Sequence, residues 1–175
     1  MSACAKESLL EQYVPTVGKK SQQSTTEQPQ ILISPITATD ITEVHALECR
    51  VYSFPWSPTI IADCINSGYE CWMIKHSGKV IAYSIMMIGA AEGHLLNLCV
   101  DSDFRRQGYA RYLLRLLSDI AIVRNAKRML LEVRESNRQA INLYHNFGFR
   151  QISRRVNYYP AETDREHALV LAKLL

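Results

Sequence analysis

The residues best suited to chemistry lie in a short basic turn, RRQGYA (105–110), that follows an apolar segment and opens a helical one. Backbone N–H groups at a helix start have no intrahelical acceptor and carry partial positive charge, so they can bind an anion. Gly108 has no side chain to keep a phosphate from the backbone, and Ala110 is small. Arg105, Arg106 and Arg111 add positive charge. The turn predicts a phosphate site; an exposed helix start without a ligand is the alternative.

Two further residues could move protons. Glu132 lies in the apolar segment 129–133, where loss of water would make its carboxylate a stronger base. Tyr144 carries one phenolic proton, and it lies two helical turns after Asn137, about 10 Å further along the same helix face. The pair therefore suggests a general base and a general acid. An ion pair of Glu132 with a neighbour such as Arg134, and a Tyr144 packed in the core, are the alternatives.

The hydrophobic pattern divides the chain into a tail and one α/β domain. Residues 18–30 hold no large apolar side chain, so they cannot bury enough surface to offset the entropy of ordering them. We predict a flexible tail over 1–30 and the domain over 31–175. The predicted strands are Ile31–Ser34, Cys71–His76, Val80–Ile88, Leu95–Val100, Met129–Val133, Gln151–Tyr159 and Ala168–Leu174. The predicted helices run from Thr39 or Asp40 to about Val51, from Ser57 onward, from Gln107 to Val123 and from Asn137 to Asn146.

Three local patterns refine these elements. The segment Leu95–Val100 is almost wholly apolar, which predicts a central strand buried on both faces. Gly148 stands where a left-handed residue would end the last helix. The apolar side of the first helix is predicted to comprise Ile41, Val44, Leu47 and Cys49.

Composition excludes several other classes of protein. The length of 175 residues fits one domain, and a net charge of +3 does not indicate a nucleic-acid binder. Five scattered cysteines without a C-x-x-C pair are typical of reduced thiols in a cytosolic protein, and the histidines lack metal-ligand spacing. No apolar run approaches the ~18 residues of a membrane span. We therefore expect a cytoplasmic protein without a metal, a direct nucleic-acid partner or a membrane partner.

Four stretches together resemble one enzyme family. They are FPWS (54–57), LNLCVDSDFRRQGYARYLL (96–114), LEVRESNRQAINLYHNFGF (131–149) and NYYP (157–160). Their order is that of the GNAT acetyltransferases, whose acetyl-CoA signature is R/Q-x-x-G-x-G/A, and the first and last point to the RimI-type branch. The resemblance implies the α/β GNAT fold, with a mixed, mostly antiparallel sheet that splays between its two middle strands and is flanked by helices.

For the donor, the resemblance implies acetyl-CoA, with its pantetheine arm along the open edge of the middle strand. The implied cofactor-binding residues are Leu98, Cys99, Val100, Arg105, Arg106, Gln107, Gly108, Tyr109, Ala110, Arg111 and Asn137. The backbone N–H groups of Leu98 and Val100 would hold the pantetheine and the acetyl oxygen. Cys99 invites a covalent acyl-enzyme, but no base partner is identifiable and buried cysteine is commonly a small hydrophobe, so direct attack by the acceptor is favoured.

For the acceptor, the resemblance implies an amine, namely the N-terminal alanine of a small-subunit ribosomal protein. An α-amino group has a pKa of about 7.7–8.0, so a base must remove its proton, and the departing thiolate must be protonated. The resemblance gives these roles to Glu132 and Tyr144. The implied substrate-binding residues are Phe54, Trp56, Tyr158 and Tyr159, of which Tyr158 is the foremost candidate. Packing of these rings at the domain edge is the alternative, and His145 and His167 are expected to be surface residues.

Two other functions stay open on the sequence alone. The same chemistry could act on a lysine side chain or a small-molecule amine. A non-catalytic acyl-CoA-binding or interaction module belongs to a different class, and the presence of both Glu132 and Tyr144 argues against it.

Overall fold

The computed structural model describes residues 30–161 and 164–175. The predicted tail over 1–30 therefore lies outside the described residues apart from Gln30, and the division into tail and domain stays a prediction. The strands are β1 (Ile31–Pro35), β2 (Glu70–His76), β3 (Lys79–Gly89), β4 (Glu92–Val100), β5 (Arg128–Arg134), β6 (Arg150–Pro160) and β7 (Arg165–Leu174). The α-helices are α1 (Ile41–Val51), α2 (Pro58–Asn66), α3 (Tyr109–Val123) and α4 (Arg138–Asn146).

The strands form one sheet in the order β1-β2-β3-β4-β5-β7-β6. Every neighbouring pair is antiparallel except β4 and β5, which run parallel over Glu92–Leu95 and Arg128–Leu131 only. Beyond that point β4 stays paired with β3 as far as Val100, and β5 stays paired with β7 as far as Arg134. The sheet therefore opens between its two middle strands, which confirms the expected fold.

A β-bulge lies where the sheet opens. Leu95 of β4 pairs with Met86 of β3, and Asn97 pairs with Ile85, so that Leu96 is an extra residue without a partner in the register. A bulge bends its strand and increases the local twist. It therefore turns the second half of β4 away from β5.

Local sequence signals explain several element ends. The Ser57 hydroxyl accepts a hydrogen bond from the Ile60 N–H at 3.3 Å, and Pro58 occupies the first position of α2. The Asn137 side chain caps α4 by accepting from the Ala140 N–H at 3.1 Å. Gly148 follows α4 with a positive φ of 99°, as predicted.

The core consists of two apolar clusters on opposite faces of the sheet. Along β2, Trp72 and Ile74 point into the cluster that α3 and α4 cover, whereas Cys71 and Met73 point into the cluster that α1 and α2 cover. This alternation follows from the period of two in a β-strand. Both faces of β2 are thus anchored in the core.

Two predictions about burial were wrong. Cys49 is exposed, and Glu48 takes its place on the buried side of α1. The second half of β4 is not buried on both faces, because the opening of the sheet uncovers it; Leu96 is 40% exposed. The helix predicted from Gln107 begins two residues later, at Tyr109.

The described residues were considered for a membrane-spanning helix and for a metal site. None of the helices seen there is both long and apolar enough to cross a membrane. The same residues contain no group of three or more His, Cys, Asp and Glu side chains that could hold a metal ion. Cys49, Cys64 and Cys99 are free thiols.

The packing of α3 on the sheet predicts a large effect of truncation at Leu117, which is fully buried. Leu117→Ala should lower the free energy of unfolding by about 2–5 kcal/mol, because the sheet cannot close around the lost atoms. The control is Ile122→Ala on the same helix, where the side chain is 52% exposed and the change should stay within about 0.5 kcal/mol. Urea unfolding of both variants measures the difference, and equal losses would contradict the described packing.

Candidate active site

The opening between β4 and β5 leads into two adjoining cavities. The turn-side cavity, about 620 Å³, lies beside the turn 105–111, and the loop-side cavity, about 340 Å³, lies beside the loop that holds Phe54 and Trp56. Both volumes are in the range of small-molecule sites. The residues that line both are Tyr52, Leu98, Arg134, Asn137, Ala140 and Tyr144. The two cavities therefore form one cleft that passes the open edge of β4.

The open edge of β4 presents unpaired backbone groups to the turn-side cavity. The Leu98 carbonyl accepts from the Tyr52 hydroxyl at 3.0 Å, and the Val100 carbonyl accepts from Arg105 Nε at 3.4 Å. The Asp101 N–H instead donates to the Ile81 carbonyl of the neighbouring strand. Because backbone groups alternate between the two sides of a strand, the N–H groups of Leu98 and Val100 face the cleft. They can bind an extended ligand as a further strand would.

The turn at the start of α3 has the geometry of an anion site. Gly108 caps the helix in the left-handed conformation with φ of 92°, and a Cβ added there would meet nothing within 4 Å. The space beside Gly108 is therefore open, and the first N–H groups of the helix have no intrahelical acceptor. Arg105, Arg106 and Arg111 line the cavity, and within the described residues none of the three forms an ion pair with an acidic side chain. Their charge is available to a phosphate.

Two predicted cofactor-binding residues line neither cavity. The Gln107 side chain donates to the Asp103 carbonyl at 3.2 Å. Cys99 is buried in the cluster under α1 and α2, and burial raises the pKa of its thiol. The thiol therefore stays protonated, which agrees with the preference for direct attack over an acyl-enzyme. The other predicted residues line the turn-side cavity: Leu98, Val100, Arg105, Arg106, Gly108, Tyr109, Ala110, Arg111 and Asn137.

Tyr144 lies where the two cavities meet. Its ring packs edge-to-face on Phe149, with ring centroids 5.8 Å apart, and the side chain is buried. Burial, with a smaller contribution from Tyr159, raises the pKa of its phenol. Its hydroxyl has no hydrogen-bond partner within the described part of the chain. It is therefore a protonated donor in a side chain that lines both cavities.

Glu132 lines the loop-side cavity only, in surroundings different from those expected. It is half-buried, and Arg155 Nε lies 2.9 Å from its Oε1, so the ion-pair partner is Arg155 of β6 and not the neighbouring Arg134. A hydrogen bond to Glu132 raises the pKa of Tyr158, with desolvation as a smaller cause. The carboxylate is thus held by two groups from the β6 strand.

The aromatic residues of the two predicted walls are placed unequally. Phe54, Trp56 and Tyr159 line the loop-side cavity, whereas Tyr158 lines neither cavity. Tyr159 lies under the Arg134 guanidinium, 4.5 Å from its ring centroid, and burial raises the pKa of Tyr159 to about 12. Tyr158 packs against Arg155 and holds Glu132 instead. The cavity wall on this side is therefore Tyr159 and not the residue that the sequence favoured.

The two histidines expected to be surface residues contact backbone groups. His167 Nδ1 accepts from the Asn157 N–H at 2.9 Å, and His145 Nδ1 lies 3.1 Å from the Phe149 carbonyl oxygen. Both are half-buried, and neither lines a cavity.

Among the cleft residues that the sequence did not indicate, Glu48 and Tyr52 carry polar groups that bind the framework of the site. Tyr52 lines both cavities and binds the open edge of β4, and Glu48 lines the loop-side cavity. The available signal was helical spacing, because Glu48 follows Val44 by four residues and Leu47 by one on the buried side of α1. A carboxylate at a core position of an amphipathic helix is unusual unless it has partners.

Comparison with known proteins agrees with this geometry. The sequence profile of the acetyltransferase (GNAT) family matches residues 39–149. The chain belongs to this family. The [ribosomal protein bS18]-alanine N-acetyltransferase of Escherichia coli K12 is 37% identical over 140 residues, covering 80% of this chain and 95% of the relative. The enzyme of the same name from Haemophilus ducreyi is 35% identical and is covered completely.

A solved structure shows the same fold. The crystal structure of the ribosomal-protein-S18-alanine N-acetyltransferase from Escherichia coli superposes with a TM-score of 0.78 at 36% identity, over 83% of this chain and 94% of that one. This protein is therefore a GNAT acetyltransferase that takes its acetyl group from acetyl-CoA, as the sequence led us to expect. The turn, its arginines and the open edge of β4 fit a phosphate-bearing extended donor.

The anion site at the turn predicts that a methyl group at Gly108 weakens coenzyme A binding. In the left-handed conformation Gly108→Ala costs roughly 1–2 kcal/mol of stability, and its Cβ would occupy open space at a residue that lines the turn-side cavity. We expect affinity for coenzyme A to fall at least about tenfold by isothermal titration calorimetry.

Gly68→Ala is the matched control, because Gly68 has a φ of 73°, equally open surroundings and no place in either cavity. It should lose similar stability and keep full affinity. Equal affinity of the two variants for coenzyme A would show that the turn is not part of the donor site.

Proposed function

We propose that this protein acetylates the N-terminal alanine of a small-subunit ribosomal protein, with Glu132 as general base and Tyr144 as general acid. The observation that carries the proposal is the position of Tyr144 at the junction of a phosphate-binding cavity and a second cavity lined by Glu132. The relatives that support the substrate are covered over 95% and 100% of their length. The reaction would then take place in the cytoplasm, where ribosomal proteins are made.

The donor would enter along the turn-side cavity. Its phosphates suit the N–H groups and the arginines at the start of α3, and the carbonyl groups of its pantetheine amides suit the N–H groups at the open edge of β4. This arrangement leaves the thioester next to Tyr144. Such fixed positioning of two reactants removes much of the entropy barrier to their reaction.

The acceptor amine would enter through the loop-side cavity, where Glu132 accepts its proton. Arg155 and Tyr158 hold this carboxylate in one orientation, which a base needs in order to meet the amine. The half-buried position leaves room for a water molecule to carry the proton between the amine and Glu132.

Tyr144 would donate its proton to the sulfur of the departing coenzyme A. Burial raises the pKa of the phenol, so its proton is retained until negative charge develops on the sulfur. The same apolar surroundings also make the thiolate more basic, which keeps the transfer favourable. Without this donor the thiolate would leave into an apolar cavity with its charge unbalanced.

Acetylation of matched peptides tests the proposed acceptor. Three peptides of one sequence are incubated with acetyl-CoA: one with a free N-terminal alanine and no lysine, one with a blocked N-terminus and a single lysine, and one with a free N-terminal alanine and the same lysine. We expect mass spectrometry to locate the acetyl group on the α-amine of the first and third peptides only. Acetylation of the lysine in the blocked peptide would instead favour a lysine acetyltransferase.

Isosteric substitutions test the proposed roles. Glu132→Gln and Tyr144→Phe should each lower kcat by about 10²–10⁴-fold, because each removes a proton-transfer group and little else. The controls are Glu135→Gln, at a carboxylate paired with Arg154, and Tyr69→Phe; neither residue lines a cavity. Steady-state kinetics with the alanine peptide measures all four, and unchanged kcat in the first two would refute the roles while leaving the fold intact.

A further inference from the structure

Glu48 is a buried carboxylate that the proposed chemistry does not use. Its side chain is at the end of α1, it lines the loop-side cavity, and only 1% of the residue is exposed. Its Oε1 accepts from the Trp56 N–H at 3.1 Å and from Asn97 Nδ2 at 3.2 Å, and its Oε2 accepts from the Tyr83 hydroxyl at 2.5 Å. The carboxylate therefore joins the aromatic loop, the bulged part of β4 and β3.

No cationic side chain among residues 30–161 and 164–175 is paired with Glu48. The other carboxylates nearby or equally buried each have one: Glu132 is paired with Arg155, Glu166 with Arg134 and Glu70 with Arg124. An ionised carboxylate without a counter-charge is costly to bury, even when it is hydrogen-bonded. The loop-side cavity thus contains a carboxyl group that no cationic side chain of the described residues neutralises.

The hydrogen bonds of Glu48 do not by themselves require a charge. A glutamine of the same shape could accept from the Trp56 N–H and Asn97 with its oxygen, and it could donate to Tyr83 with its amide nitrogen. Such a residue would avoid the cost of burying a charge. The carboxylate therefore points to a cationic ligand in the cavity.

We propose that Glu48 binds the α-ammonium group of the acceptor before Glu132 takes up its proton. This inference rests on the proposed function, which brings a peptide N-terminus into the loop-side cavity. The position is suitable because Asn97, a partner of Glu48, adjoins Leu98 on the open edge of β4. Tyr52, one helical turn after Glu48, binds the Leu98 carbonyl. An ammonium group held at Glu48 therefore lies beside the edge where the thioester is bound.

Glu48 and Glu132 then have different roles. Glu48 borders the cavity, is only 1% exposed and accepts from three neutral donors, so it suits binding of a cation. Glu132 is half-buried and tied to Arg155, with access to water that can carry a proton away. Recognition by charge also separates a substrate from its product, because acetylation removes the positive charge of the amine.

The test compares one peptide in two forms, with a free N-terminal alanine and with that alanine N-acetylated. Binding of each form in the presence of coenzyme A is measured by calorimetry for the wild type and Glu48→Gln. We expect the substitution to lower the affinity for the free-amine peptide at least tenfold and to change the affinity for the N-acetyl peptide by less than twofold. In steady-state kinetics KM for the peptide should rise at least tenfold while KM for acetyl-CoA is unchanged.

Three further variants separate charge from structure. Tyr83→Phe removes a hydrogen-bond donor but keeps the charge, and Glu48→Asp keeps the charge on a shorter side chain; both should retain the preference for the free amine. Glu70→Gln, at a carboxylate that lines neither cavity, should leave the affinity for both peptides unchanged. Because Glu48→Asp is informative by itself, the test does not depend on how well Glu48→Gln folds.

Equal weakening of both peptides by Glu48→Gln, or loss of the preference in Tyr83→Phe, would overturn the inference and leave Glu48 a structural residue. The inference would also be overturned if Glu48→Gln kept the full preference for the free-amine peptide, or if Glu48→Asp lost that preference. Failure of the proposed function would look different, because the wild type would then transfer acetyl to the blocked lysine peptide and not to the α-amine.

Discussion

The loss of pairing between β4 and β5 after Leu95 and Leu131 is the constraint on which the rest of the molecule depends. A sheet that stayed paired would leave no backbone donor or acceptor for a ligand, and a sheet that opened without support would expose polar groups at a cost. Here β3 and β7 hold the outer sides of the two strands, and the bulge at Leu96 directs β4 away. Tyr52 and Arg105 occupy the carbonyls on the open edge, so that its N–H groups are left for the donor.

The two ends of the cleft also differ in charge. Counting only the part of the chain that the structure describes, the turn-side cavity carries three arginines without acidic partners, and the loop-side cavity carries Glu48 without a basic one. A donor with phosphates and an acceptor with an ammonium group would each be drawn to the opposite end of one cleft, and they would meet at Tyr144. The buried position of Tyr144 suits this meeting point, because a low local dielectric strengthens every interaction with developing charge.

Features set by local sequence were predictable. The turn at Gly108, the cap at Ser57 and the helix end at Gly148 depend on a few adjacent residues, and the structure has each of them. Features set by distant pairing were not. The irregular register of β6 between Arg155 and Tyr159 decides which of two adjacent tyrosines lines the cavity, and no local pattern reports it. The partner of Glu132 is likewise a residue of another strand, and the hydrogen-bond partners of Glu48 come from three separate segments.

The most direct measurement of the central claim is a crystal structure of the protein with coenzyme A bound. The account predicts the phosphates at the start of α3, and the pantetheine along β4 with hydrogen bonds from the N–H groups of Leu98 and Val100. It also predicts the sulfur next to the Tyr144 hydroxyl. Pantetheine bound away from β4, or its sulfur remote from Tyr144, would contradict the account.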